Sequence, residues 1–152
     1  MKIGVISDTH NYLDPKIPVL FAGVDHILHG GDIGLPWIIL QLEQIAPVTA
    51  VIGNTDVGLN FAETEILQDQ QKILLHHIVD PHSPAGSIQR CIQREKPDVV
   101  VFGHTHKPFC QTIGGILFFN PGYAGKQRFD LQRSVAILQC NAAGVVPDFF
   151  DL

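Results

Sequence analysis

Residues of three types, spread over a hundred positions, could hold metal ions. They stand as Asp8 and His10, Asp32, Asn54, one of His76 and His77, and His104 with His106. Asp8 and His10 are one residue apart, so a loop leaving a strand could turn both into one site. Asp32 follows Gly30 and Gly31, and glycines let a backbone come close to what lies beyond a strand end. A carboxylate placed there could give one oxygen to each of two cations. Asn54 follows Gly53 and offers a neutral amide oxygen. His104 and His106, in Gly103-His104-Thr105-His106, are spaced to serve two neighbouring ions. Each fragment alone reads equally well as a turn, since Asp, Asn and Gly are ordinary turn residues. The six segments share an order and a position at the ends of apolar runs, and the sixth is Asn120-Pro121-Gly122. Carboxylate, imidazole and amide together suit Mn, Fe, Zn or Ni rather than a thiolate-held structural zinc.

The elements that must position these residues can be read from apolar periodicity. Strands are expected at Lys2–Ser7, Asp25–Leu28 and Pro47–Ile52, with helices over Asp14–Ala22 and after Pro36 between them. That β-α-β-α-β order implies a parallel sheet with crossover helices. Phe61–Leu67 and Gln71–Leu75 read as a hairpin, and Ser87–Glu95 as a helix. Pro97–Phe102 is an apolar strand. Phe109–Ile113 and Ile116–Phe119 flank Gly114-Gly115, a hairpin turn signal. Ser134–Cys140 and Val145–Phe150 read as antiparallel strands. In open α/β sheets ligands bind at the carboxyl ends of strands. The polar clusters after Ile6, Leu28, Ile52, Leu75, Phe102 and Phe119 should therefore gather along one edge. His76 and His77 are adjacent on one strand and point to opposite faces, so one of them at most should serve the site.

Bulk composition bounds the rest. The chain has 152 residues, 45% of them hydrophobic, which suits one domain over residues 1–152. No apolar run reaches the ~20 residues of a spanning helix, and the first residues are too short an apolar stretch for a secretory signal. A cytoplasmic protein is expected, with no membrane partner. The net charge of −5 gives no general affinity for nucleic acid, and no basic cluster marks a nucleic-acid groove. Bound dications would still let an acidic cleft take an anionic substrate. Lys107, Lys126 and Arg128 lie near the motif segments and could meet a phosphate or be solvated surface charges. Cys91, Cys110 and Cys140 form no disulfide framework.

As an ordered set, the motifs from Asp8 to Gly122 resemble those of the calcineurin-like metallophosphoesterases, most closely the small single-domain bacterial and archaeal phosphodiesterases. The resemblance implies a four-layer α/β sandwich, two mixed β-sheets flanked by helices. It implies that Asp8, His10 and His106 hold one divalent metal, that Asn54, His77 and His104 hold a second, and that Asp32 bridges them. Manganese is the first expectation, with nickel, zinc or iron as alternatives. Asp32, Asn54 and His104 would also serve catalysis, in which a metal-bridging hydroxide attacks a small phosphoester, with a diester favoured. His76 is the alternative to His77, because Ile78 stands where the family has Gly. Two further departures stand out: Thr55 occupies a position where many members carry a general-acid His, and Tyr123 replaces the Ser of Asn-Pro-Gly-Ser. His82 or Tyr123 could supply the proton instead. The competing class is a non-catalytic interaction scaffold of the same fold, and a homo-oligomer is compatible with either.

Overall fold

The first strand is buried on both faces, which explains the layering. In a computed structural model, which describes residues 1–152, β1 (Lys2–Ile6) turns Ile3 and Val5 to one core and Ile6 to another. Gly4 shares the second face, where an added Cβ would lie 3.0 Å from the Phe21 ring. A sheet that buries both faces needs apolar residues at consecutive positions, and the fully apolar stretch Ile3–Ile6 supplies them.

The first sheet runs β10-β9-β1-β2-β3. It comprises β1, β2 (His26–His29), β3 (Val48–Ala50), β9 (Ser134–Asn141) and β10 (Gly144–Asp151). β1, β2 and β3 are mutually parallel, and β9 is antiparallel to β1. The second sheet runs β4-β5-β6-β8-β7, from β4 (Thr64–Gln68), β5 (Lys72–His76), β6 (Val99–Val101), β7 (Phe109–Ile113) and β8 (Ile116–Asn120). Here β5, β6 and β8 are parallel, while β4 and β7 close the edges as antiparallel hairpin partners.

The sheets pack face to face. Ile3, Val5, Leu28, Ala136 and Leu138 of the first meet Ile73, Leu75, Val99, Val101 and Phe119 of the second. On the outer face of the first sheet lie α1 (Ile17–Leu20) and α2 (Trp37–Glu43), through Ile17, Ile38, Ile39 and Leu42. On the outer face of the second lies α3 (Gly86–Glu95), whose Ile88 and Ile92 pack on Leu74, Val100 and Phe118. The four layers of the sandwich are therefore helix, sheet, sheet, helix.

Several elements are shorter than their patterns, two of them through visible contacts. The helix expected over Asp14–Ala22 is confined to Ile17–Leu20. Asp14 is diverted to the Lys16 backbone N–H and to the Arg133 guanidinium, at 2.9 Å each. The strand expected over Pro47–Ile52 ends at Ala50, because Val51 and Ile52 turn to meet Ala62 instead.

Candidate metal centre

Six parallel strands, three from each sheet, end on the same edge of the sandwich. The segments after β1 carry Asp8 and His10, and those after β2, β3 and β5 carry Asp32, Asn54 and His77. Beyond β6 come His104 and His106, and β8 ends on Asn120. Asp8, His10, Asp32, His104 and His106 all adopt left-handed backbone conformations, with φ between 44° and 71°. Such conformations cost a non-glycine residue on the order of 1–3 kcal/mol each and cluster at functional sites. The fold accepts strain at five positions to turn those side chains inward.

The side chains fall into two groups, Asp8 with His10 and His106, and Asp32 with His77 and His104; within each, the coordinating atoms lie within 4.8 Å of one another. In the first, Asp8 Oδ1 is 3.3 Å from His106 Nε2 and 3.9 Å from His10 Nε2. In the second, Asp32 Oδ2 is 3.3 Å from His77 Nε2. Asn54 Oδ1 joins it, 3.0 Å from both His77 Nε2 and His104 Nδ1. Asp32 Oδ2 also lies 3.7 Å from His10 Nε2, so this one oxygen stands between the groups. His77, and not His76, enters the second group; the His76 ring is turned to Thr64, with Nδ1 2.8 Å from Oγ1.

Two features of this cluster suit cations. Asp8 Oδ1 and His10 Nε2 are buried without a hydrogen-bond partner, a costly condition for polar atoms. His77 Nδ1 must donate to the Gly30 carbonyl at 2.7 Å, since a carbonyl can only accept. In the neutral ring Nε2 then carries a lone pair, and it faces two further acceptors, Asn54 Oδ1 and Asp32 Oδ2. Converging lone pairs of this kind are relieved by a positive charge among them.

The surrounding hydrogen bonds leave the coordinating atoms free. Asp8 Oδ2 accepts from Ser7 Oγ at 2.7 Å and from the His104 N–H at 3.1 Å, so Oδ1 faces the site. Burial opposes ionisation of Asp8, but the neighbouring His106 and the bond from Ser7 outweigh it and hold the carboxyl below its ordinary range. Burial likewise lowers His10, against the pull of Asp32 and Asp8, and favours the neutral ring that a metal needs. Asp32 Oδ1 accepts from the Thr55 N–H at 2.9 Å, which leaves Oδ2 free.

Several of these supports were not singled out as functional in the sequence. His29, wholly buried, spans two coordinating loops. Thr9 Oγ1 donates to the Ile33 carbonyl at 2.8 Å, so it accepts from His29 Nε2–H at 3.0 Å, and His29 Nδ1 accepts from the Gly31 N–H at 3.2 Å. Desolvation pushes the His29 pKa down to about 4, against the opposing pull of Asp8 and Asp56. Asp56 gathers the N–H groups of Ile33, Gly34 and Gly53. Asn120 donates to the Gly103 carbonyl and the Thr105 hydroxyl, and so fixes the loop of His104 and His106. Gly31 and Gly103 are steric requirements: a Cβ would come within 2.7 Å of His77 Nδ1 at the first and 2.6 Å of Asp8 Oδ2 at the second.

The departures from the family pattern have structural consequences. Tyr123 is fully buried, and its hydroxyl donates to the Lys126 carbonyl at 2.9 Å. Its ring packs 4.7 Å from that of His106, as a wall behind the first group. Its phenol is thus committed elsewhere, and burial raises its pKa further. The Arg128 guanidinium lies over the same ring at 5.6 Å, whereas Lys126 approaches Tyr12. His82 sits against Phe109 of β7. Asn54, Thr55 and His104 are exposed and form the open face of the second group.

Comparison with known proteins identifies the family. Residues 1–143 match the family model of the calcineurin-like phosphoesterase superfamily domain. A probable metallophosphoesterase of Methanocaldococcus jannaschii is 38% identical over 130 residues, covering 80% of this chain and 67% of that protein. A phosphodiesterase of the same organism is 29% identical over 140 residues, covering 80% and 83%. Among solved structures, Vps29 of Entamoeba histolytica complexed with Zn²⁺ superposes with a TM-score of 0.76 at 24% identity, over 99% of each chain. With its family match spanning nearly its whole length and its candidate metal ligands gathered at one sheet edge, the chain belongs to the calcineurin-like phosphoesterase superfamily.

Proposed function

We propose that this protein is a dinuclear-metal-dependent phosphoesterase that prefers phosphodiesters, with its 152 residues acting as one cytoplasmic domain. The observation that carries the reading is the place of Asp32 Oδ2, 3.3 Å from His77 Nε2 and 3.7 Å from His10 Nε2, between two groups of coordinating atoms. Asp8, His10 and His106 would hold one ion, Asn54, His77 and His104 the other, and Asp32 both. Manganese is proposed, with nickel, zinc or iron as alternatives. Two such ions, when bound, lower the pKa of water and neutralise phosphoryl charge.

The chain's own contribution is positioning. Asp32 and Asp8 are locked through one oxygen each and keep the other aimed at the site. His104 and Asn54 present the second group to solvent, where a phosphoester can enter. Oriented groups of this kind lower a barrier without reorganising during the reaction. Thr55 offers no proton near neutral pH, which restricts the enzyme to leaving groups that depart as anions. A phosphoester panel run on metal-free protein reconstituted with single divalent ions tests the reading. Metal-dependent turnover, with nitrophenyl diesters ahead of alkyl monoesters, is expected; metal-independent turnover contradicts it. The likeness to Vps29 shows the fold alone, and a scaffold role would be favoured by full metal binding with no turnover of any member of the panel.

A further inference from the structure

Between the carboxyl ends of β3 and β5 a cleft of about 240 Å³ opens beside Asn54 and His77 of the second group. Ile52 and Ile78 line it with apolar surface, and His76 and Glu63 line it with polar groups. Glu63 is the only carboxylate among the lining residues. His76 is fixed there, with Thr64 Oγ1 on Nδ1 and the Glu63 backbone beside the ring. Thr64 pairs with His76 across the β4–β5 ladder, and the next residues outward on the two strands are Glu63 and His77. The cleft therefore adjoins the second group directly, through Asn54 and His77. Small-molecule pockets commonly measure about 300–1,000 Å³, so this one suits a short substituent and not a whole nucleotide.

We infer that the cleft seats the alkoxy group that stays on phosphorus, and that Glu63 selects diesters whose retained alcohol carries a free hydroxyl. This rests on the phosphoesterase reading above. With the phosphate held at the second group, the Glu63 carboxylate among the cleft's lining residues accepts a hydrogen bond from a hydroxyl on the retained chain. A hydroxyl bonded to a charged acceptor at a solvent-open end is expected to favour binding about tenfold.

The test holds the leaving group constant and varies the retained one. The manganese-loaded protein is assayed with 3-hydroxypropyl 4-nitrophenyl phosphate and with its isostere butyl 4-nitrophenyl phosphate. The wild-type kcat/KM ratio should favour the hydroxyl compound about tenfold. Glu63→Ala should bring the ratio close to one, and Glu63→Gln, which keeps an acceptor oxygen, should retain part of it. Equal wild-type rates for the two esters, or a ratio that survives in Glu63→Ala, would overturn the inference. If neither diester is turned over, the phosphoesterase reading fails, and the cleft is judged by calorimetry with 3-hydroxypropyl phosphate and butyl phosphate. A tenfold difference in Kd that disappears in Glu63→Ala supports the cleft assignment, and equal affinities overturn it.

Discussion

Asp32→Asn removes one coordinating atom from both groups while leaving the loop in place. The Asn carbonyl oxygen can still accept from the Thr55 N–H, now at 2.9 Å. The amide nitrogen that replaces Oδ2 points donors at His10 and His77 and cannot coordinate. A unit charge pair 4 Å apart is worth about 4 kcal/mol at an effective dielectric of 20. If half of that is offset by hydration of the ion and carboxylate, each ion loses about 2 kcal/mol, or about thirtyfold in Kd. Calorimetric titration of metal-free protein with manganese or zinc reads both sites at once. His106→Ala is the control, because His106 faces Asp8 of the first group and should weaken one site. A variant Asp32→Asn that weakens a single ion, or neither, would refute the bridging role.

The other expectations are independent of that one. His77→Ala should lose the second ion and nearly all turnover, whereas His76→Ala should keep both ions; metal analysis of the two variants after dialysis decides, and equal losses or the reverse order would contradict it. Because Thr55 has no proton to give, rates should fall steeply with leaving-group pKa across substituted phenyl and alkyl diesters. Thr55→His should flatten that slope by helping poor leaving groups most, within the 10²–10⁴-fold typical of a positioned acid; a shallow wild-type slope would show that another group supplies the proton. His29 sets a pH dependence of stability in chelator-treated protein. Its folded pKa, about 4, lies below the unfolded value near 6.5. The unfolded chain therefore takes up the proton first, and stability present above pH 6.5 is lost as the pH falls toward 4. Between pH 7 and 5 this amounts to about 2 kcal/mol. Denaturant unfolding of wild type should show that loss over and above His29→Gln, which cannot titrate and keeps Asp8, Asp32, Asp56 and His77 around the position; equal losses would refute it.

Most of the fold and the gathering of the candidate ligands could be read from the sequence, because both depend on local pattern. A run such as Val99–Phe102 has to be core, and a Gly-His or Gly-Asp after such a run has to emerge at a strand end. The Gly114-Gly115 hairpin and the β9–β10 pair follow from equally local signals. What could not be read was long-range. The tie of His29 to Thr9 spans 20 positions, and the reach of Asp56 to Ile33 spans 23. The bond from the His104 N–H to Asp8 spans 96. Nothing in the neighbouring residues marks these side chains as supports. The Tyr123 hydroxyl is a similar case: its type is plain in the sequence, but its commitment to Lys126 depends on the turn that follows. The shortened α1 shows tertiary contact overriding local pattern, since Asp14 serves Arg133, 119 positions away.

The claim that two ions share one centre is tested most directly by activity against metal stoichiometry. Metal-free protein receives manganese in fractional equivalents, and hydrolysis of bis(4-nitrophenyl) phosphate is measured at each step, with bound metal counted in parallel. Turnover should rise with a break at two ions per chain and stay low at one. Full turnover at a single ion per chain, or a rate indifferent to metal, would contradict the dinuclear assignment.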